Sequence, residues 1–263
     1  MGKVKISKVV MIGAGNLASQ LAPAIKKAGF NIVQVYSRTE VSAGRLGKLI
    51  GCSFTSIKSE IRKDGDIYIF ALADDAFREF IGEFNLSGRI VVHTSGSLDL
   101  GLLAGLSETY GVLYPVQTFS KERKVDFMQI PVCIEASDDI TKQILFDFAK
   151  TLSSEIYFLN FEQRRKLHIA AVFACNFVNH LYTVSSEILS SANLPFDLIR
   201  PLIRETANKI NDLPPDVAQT GPAVRNDQLV IKRHLDLLSF LPQYKKIYEL
   251  ITEDIISSEK NNR

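Results

Sequence analysis

The segment that most narrows the fold is "KVVMIGAGNLA", Lys8–Ala18. An apolar run, Val9–Ile12, breaks at a glycine, and a helical pattern, "NLASQLAPAIKKAG", begins at once. Gly13, Gly15 and Ala18 make G-x-G-x-x-A at the junction of a strand and a helix. The first glycine permits the tight turn, the second lets the backbone approach a bulky anion, and the small third residue lets the helix pack on the strand. The amides of Asn16, Leu17 and Ala18 then lie at the positive end of the helix, where its first N–H groups have no partner inside the helix. A second strand pattern, "NIVQVY", follows. This arrangement predicts a βαβ unit with a pyrophosphate cradle, which is the opening of a dinucleotide-binding domain.

The alternation continues. Candidate strands are "KVVMI", "NIVQVY", "CSFT", "DIYIFAL", "RIVVHT", "GVLY" and "IPVCIEA", with helical segments such as "DDITKQILFDFAKTL" among them. Strands that alternate with helices argue for a doubly wound, mainly parallel sheet, and the near-continuous apolar runs argue for strands covered on both faces. After "SSEIYFL" the pattern turns helical. "FEQRRKLHIAAVFACNFVNHLYTVSSEILSSAN" reads as one helix of about 30 residues, so apolar in its middle that it must be buried on several sides. The predicted class is α/β, a Rossmann-type sheet domain over 1–155 followed by an all-helical domain over 156–263. Charges are mixed and the net charge is +2, which gives no clustered basic face for nucleic acid. "MGKVKISKVV" lacks the long apolar core of a signal peptide, and Ile6 stands where a myristoylation signal has Ser or Thr. No uninterrupted apolar stretch reaches the roughly 20 residues of a membrane span. The three cysteines, Cys52, Cys133 and Cys175, are scattered, as suits a reducing cytoplasm. No metal site is predicted.

The end of the second strand carries the cofactor choice. An NAD site commonly has Asp or Glu there, to accept from the ribose hydroxyls. This chain has Tyr36-Ser37-Arg38-Thr39. Arg38 suits a 2′-phosphate, Ser37 and Thr39 can donate to it, and no carboxylate repels it. The expected cofactor is NADP. Two further strand ends are candidates for the nicotinamide side: Leu72, Ala73 and Asp74 in "IFALADDAF", and Ser95 in "VVHTSGS". Asp74 and Ser95 also suit helix N-caps.

Together the glycine turn, "SRT", "ALADDA", "HTSGS", "YPVQTF" and "QTGPAVRND" resemble a group of NADP oxidoreductases with an uncharacterised helical C-terminal domain, over nearly the whole chain. The N-terminal motifs are similar to those of pyrroline-5-carboxylate reductases and deazaflavin-dependent NADP reductases. The architecture is similar to that of 6-phosphogluconate and 3-hydroxyisobutyrate dehydrogenases, whose long helix carries a catalytic Lys four residues before an Asn. If Asn176 matches that Asn, Val172 stands where the Lys belongs, so the lysine mechanism does not carry over.

Other groups must then move the proton. His168, Asn176, Asn179, His180 and Thr183 fall on one half of the long helix at 100° per residue. His168 is the first candidate donor and His180 the second, because an unperturbed imidazole titrates near neutrality. Asn176 completes the catalytic set. Thr220 and Arg225 in "QTGPAVRND" are candidates for substrate binding, and Asp227 there is placed to start a helix. The resemblance implies an NADP(H)-dependent oxidoreductase acting on a small carbonyl, imine or hydroxyl compound. So apolar a long helix needs partners, which predicts that the helical domain closes over the nicotinamide and forms a homodimer interface. The competing readings are a non-catalytic NADP(H) sensor and a deazaflavin or flavin:NADP reductase.

Overall fold

The computed structural model describes residues 6–82 and 84–261. The first five residues of the segment read above for targeting signals lie outside them. Eight strands form one sheet: β1 (Lys8–Ile12), β2 (Asn31–Tyr36), β3 (Ser53–Thr55), β4 (Ile67–Phe70), β5 (Ile90–His93), β6 (Thr109–Pro115), β7 (Val132–Ala136) and β8 (Ile156–Phe158). Their order across the sheet is β3-β2-β1-β4-β5-β6-β7-β8. Neighbours are parallel except β6 and β7, which run antiparallel. The seven expected strands are all present, and β8 adds an eighth.

Alternation within β1 explains why this sheet must be covered twice. Val9 and Met11 enter a core shared with α1 (Asn16–Lys27), α2 (Glu40–Ile50) and α4 (Asp139–Ala149). Val10 and Ile12 enter a second core on the opposite face, with α3 (Asp74–Ile81). All four side chains are fully buried, as a strand with helices on both sides requires. Strand order reverses on either side of β1, between β2 and β4. That reversal opens a crevice at the carboxyl ends of the strands, the place where open α/β sheets take ligands.

Beyond β8 a continuous helix runs from Phe161 to Ser191. It comprises α5 (Phe161–Ala171), a stretch of wider, i→i+5 turn over Val172–Phe177, and α6 (Val178–Ser191). Its start is fixed by a capping box: the Asn160 side chain accepts from the Gln163 amide at 2.9 Å, and Gln163 accepts from the Asn160 amide at 3.0 Å. Over this stretch the turn is wider than the 100° per residue of an α-helix. The chain divides into two compact units within this wide turn, 1–176 and 177–263. The sheet's last strand, β8, ends at Phe158, inside the region 156–263 expected to be all helical, and α5 also packs with the sheet unit, so that boundary lies too early.

The second unit holds α6, α7 (Arg200–Asp212), α8 (Pro215–Ala218), α9 (Gln228–Leu237) and α10 (Pro242–Asn261). The long helix was expected to be buried on several sides. Within the chain it is not: Arg164 and Val184 are its buried residues, while Ile169, Phe173, Phe177 and Ile188 are exposed. By length and composition it is also apolar enough to cross a membrane. Asn176, Asn179 and His180 interrupt its apolar run, so the sequence shows no unbroken apolar stretch of membrane-spanning length there.

Candidate active site

The glycine turn lies at the carboxyl end of β1. Gly13 has φ +120°, and its N–H donates to the Tyr36 carbonyl at 2.8 Å. A Cβ here would sit 2.1 Å from the Ala71 carbonyl oxygen, so only glycine fits. Gly15 precedes α1, whose first turn has no side-chain cap and no acidic residue. A Cβ on Gly15 meets nothing within 4 Å. Uncapped amides therefore face open space at the positive end of a helix, while Ala18, fully buried, packs beneath them. These features fit a pyrophosphate, with Gly15, Asn16, Leu17 and Ala18 offering backbone donors. At the end of β2, Arg38 is exposed and makes no ion pair with the described residues. The Ser37 amide donates to the Thr55 carbonyl at 3.2 Å. Thr39 caps α2 through Ser42, so its hydroxyl is already engaged.

Two of the expected turns meet. The Asp74 carboxylate, in the first turn of α3, accepts from Ser95 Oγ at 2.9 Å and also from Ser97 Oγ. Ser95 Oγ accepts in turn from the amides of Ser97 and Leu98, each at 3.1 Å. Asp74 is thus not an N-cap: Ala73 holds that position and contributes no side-chain bond. Leu72 lies in the same connection, beyond the end of β4.

The turn after β5 also receives His168. A Cβ on Gly96 would lie 2.6 to 2.9 Å from His168 Nδ1, Cγ and Cβ, so the imidazole rests on the bare backbone of Gly96. Its Nδ1 lies 3.1 Å from the hydroxyl of Tyr114. Tyr114 is on β6, two residues beyond Val112, which is paired with His93; it is therefore level with Ser95. Burial raises the Tyr114 pKa above its ordinary value, a nearby Cys133 adds to the rise, and the positive charge of Arg164 opposes it. The sequence reading missed Tyr114. A tyrosine at a strand end carries no local signal, and its partner is 54 residues away.

Arg164 lies one helical turn before His168 and is fully buried. Its Nε and Nη2 donate to Glu135 Oε2 at 3.1 and 2.9 Å, its Nη1 to the Ser95 carbonyl at 2.8 Å, and its Nη2 to the Leu98 carbonyl at 2.8 Å.

His93 closes β5 beneath this turn and is 1% exposed. Its Nδ1 accepts from the Ser95 amide at 3.2 Å, which leaves the ring proton on Nε2, a buried atom with no hydrogen-bond partner among the described residues. Burial, and then the Arg164 charge, push its pKa down to about 3, so the ring is neutral. The unfolded chain binds a proton at this residue below about pH 6.5, while the folded chain does so only near pH 3. Stability therefore rises with pH through that window and is lost on acidification, by at most about 1.4 kcal/mol per pH unit. The urea midpoint is expected to fall between pH 7 and pH 5, and His93→Gln should flatten that fall. An equal fall in the variant refutes the assignment.

The remaining candidates lie outside this cluster in the chain, Asn176 at the boundary of the two units and the others in the second. Asn176, the last residue of the first unit, is exposed. His180 belongs to the second unit, where its ring meets Tyr244 edge-on at 6.5 Å between centroids. In that unit Thr220 lines a largely apolar groove of about 260 Å³, with Leu181, Val184, Tyr248 and Ile251 among its walls. Arg225 is exposed beside the Gly221 turn, and Asp227 caps α9 by accepting from the Val230 amide at 3.2 Å.

Residues 8–96 match the family described as NADP oxidoreductase, coenzyme F420-dependent, and residues 130–255 match a domain of unknown function, DUF2520. Over 97% of its length the chain is 44% identical to a provisionally assigned NADP oxidoreductase, BF3122, from Bacteroides fragilis; the match covers 99% of that chain, with a TM-score of 0.90. A reductive aminase from Aspergillus terreus, solved with NADPH and ethyl-5-oxohexanoate, shares the fold at 14% identity and a TM-score of 0.70, covering 98% of this chain and 100% of that one. A 1-pyrroline-5-carboxylate reductase from Streptococcus pyogenes does so at 9% identity and a TM-score of 0.60, covering 95% and 98%. No curated protein sequence matches significantly.

Proposed function

The chain belongs to the family of NADP oxidoreductases represented by the Bacteroides fragilis protein, and on that footing we propose that it passes a hydride between NADP(H) and a small carbonyl, imine or hydroxyl compound. The observation that carries this reading is the meeting of Tyr114 and His168 over the Ser95–Gly96 turn. In this reading the two side chains act as a proton-transfer pair at the carboxyl ends of the same sheet that carries the glycine turn. When bound, the cofactor supplies the hydride; the chain supplies position and a proton. With His168 protonated, its Nδ1–H faces the Tyr114 oxygen, and the phenol proton is free to go to a substrate oxygen or nitrogen. The imidazole then replaces the proton the phenol has given up. The lysine of the related dehydrogenases is not needed.

The 2′-phosphate falls to Arg38, which is exposed at the end of β2 and makes no ion pair with the described residues. NADP(H) is expected to bind at least about tenfold more tightly than NAD(H), a difference of about 1.4 kcal/mol. Arg38→Ala should narrow that gap. Fluorescence titration of both cofactors tests it, and equal affinities in the unmodified chain overturn it. Turnover is then sought by screening keto acids, imines and a reduced deazaflavin for NADP(H)-linked reaction. A deazaflavin response alone favours the second reading, which rests on the description of the family matched by residues 8–96. Binding without turnover of any compound favours a sensor.

The helical unit supports a homodimer. Among its described residues only Val184, Ala223, Ile231, Leu238 and Thr252 are buried, too few to close a core. A second copy of the chain covers this surface in our reading. Sedimentation at micromolar concentration should give twice the single-chain mass, and a single-chain mass refutes it. The three cysteines are all unpaired, in keeping with the cytoplasm as the working compartment.

A further inference from the structure

We infer that Arg164 is a positioning residue: by tying α5 to the turn after β5, it holds His168 against the Tyr114 hydroxyl. The inference rests on the proton-transfer pair proposed above. A fully buried guanidinium is costly unless its donors find partners, and four N–H groups of this one are matched by a carboxylate and two backbone carbonyls. Those carbonyls belong to Ser95 and Leu98, which bracket Gly96, the residue on which the His168 ring rests. Arg164 and His168 are four residues apart on one helix, so they project from the same face. The guanidinium therefore fixes the distance between that face and the turn, and the imidazole closes the remaining gap. A lysine could not do this, because a point charge does not span a carboxylate and two carbonyls in one plane.

A buried pair of this kind is weak evidence for stability, since apolar residues of similar size often stabilise as well. What it adds here is a defined distance between α5 and the β5–β6 edge. The Arg164 charge also bears on the Tyr114 phenol, opposing the rise that burial causes. Without Arg164 the phenol should become a weaker acid as well as a misplaced one.

The test uses the full chain. Arg164→Met alone leaves the Glu135 carboxylate unpaired, so the double variant Arg164→Met/Glu135→Gln is compared with the parent. Gly96→Ala serves as a second variant, displacing the same ring from its other side without touching Arg164. Two readouts need no substrate: the ring-to-ring nuclear Overhauser contact between Tyr114 and His168, and the titration of ¹³C-labelled Tyr114. In both variants the ring contact should be lost, and in the double variant the Tyr114 titration should move upward. NADPH affinity should stay within about threefold of the parent, showing an intact sheet unit. Where turnover is measurable, kcat/KM should fall roughly 10- to 100-fold, and in the double variant its basic limb should move to higher pH. A folded double variant that keeps the ring contact and the parent titration overturns the inference. If the parent turns over no substrate, the function proposal fails, while the two spectroscopic readouts still decide the role of Arg164.

Discussion

Replacing Tyr114 by Phe is expected to lower turnover roughly 10²- to 10⁴-fold, with NADP(H) affinity nearly unchanged. The substitution removes one oxygen and leaves the ring in place on β6, so packing changes little. What is lost is the hydroxyl that meets His168 Nδ1 at 3.1 Å. His168→Ala should fall in the same range. The double variant should lose little more than either single one, because residues that act as a unit are not additive. Steady-state and single-turnover measurements on whichever compound the screen identifies will show this. Multiplication of the two single effects would mean that the residues act separately, and an unchanged rate in Tyr114→Phe would return the proton to another group. A structural role alone would appear as a lower melting temperature with activity per folded molecule preserved.

The second large effect is expected at the glycine turn, where two substitutions with similar chemistry should fail in opposite ways. Gly15 has extended backbone geometry that valine adopts readily, and a Cβ there meets no protein atom within 4 Å. Gly15→Val should therefore fold and melt like the parent. Its branched side chain would occupy the space in front of the α1 amides, and NADP(H) affinity should fall by about 100-fold or more, roughly 2.7 kcal/mol. Gly13→Ala should instead damage the fold, because its φ of +120° and the Ala71 carbonyl at 2.1 Å leave no room for a methyl group. Fluorescence titration with NADPH, together with thermal denaturation, separates the two. Unchanged affinity in a folded Gly15→Val variant would remove the cradle from this turn.

The contrast between these glycines and Tyr114 shows what a sequence can disclose. The turn was legible because everything it needs is local: a buried run, two glycines, a small residue and a helix, all within eleven positions. Seven strands were legible for the same reason. β8 was not, because "IYF" is a three-residue edge strand with Tyr157 and Phe158 half exposed, too short to show a period. Arg164 is one of three consecutive cations, Arg164-Arg165-Lys166, and only the helical phase set by the Asn160 cap decides which of them is buried. His168 was chosen for its chemistry. Its partners, Tyr114 and Gly96, became neighbours only through the order of β5 and β6 and the return of α5 over them. The sequence's even helical spacing does not show the wide turn at Val172–Phe177, where the chain divides into its two units.

The ends of the sheet bear on how the protein behaves when it is concentrated. An outermost strand presents a row of unused N–H and C=O groups and can template a foreign strand, which is how fibrils and domain-swapped aggregates begin. Here the two outermost strands, β3 and β8, have three residues each, the shortest in the sheet. Such a strand offers too few outward groups to hold another chain in register. At one border the Lys142 ammonium lies 4.5 Å from the centre of the Phe158 ring, setting a charge beside the apolar rim. At the other, Ser53 Oγ ties β3 back to the Val33 carbonyl at 2.7 Å. The sheet thus resists lateral growth at both borders.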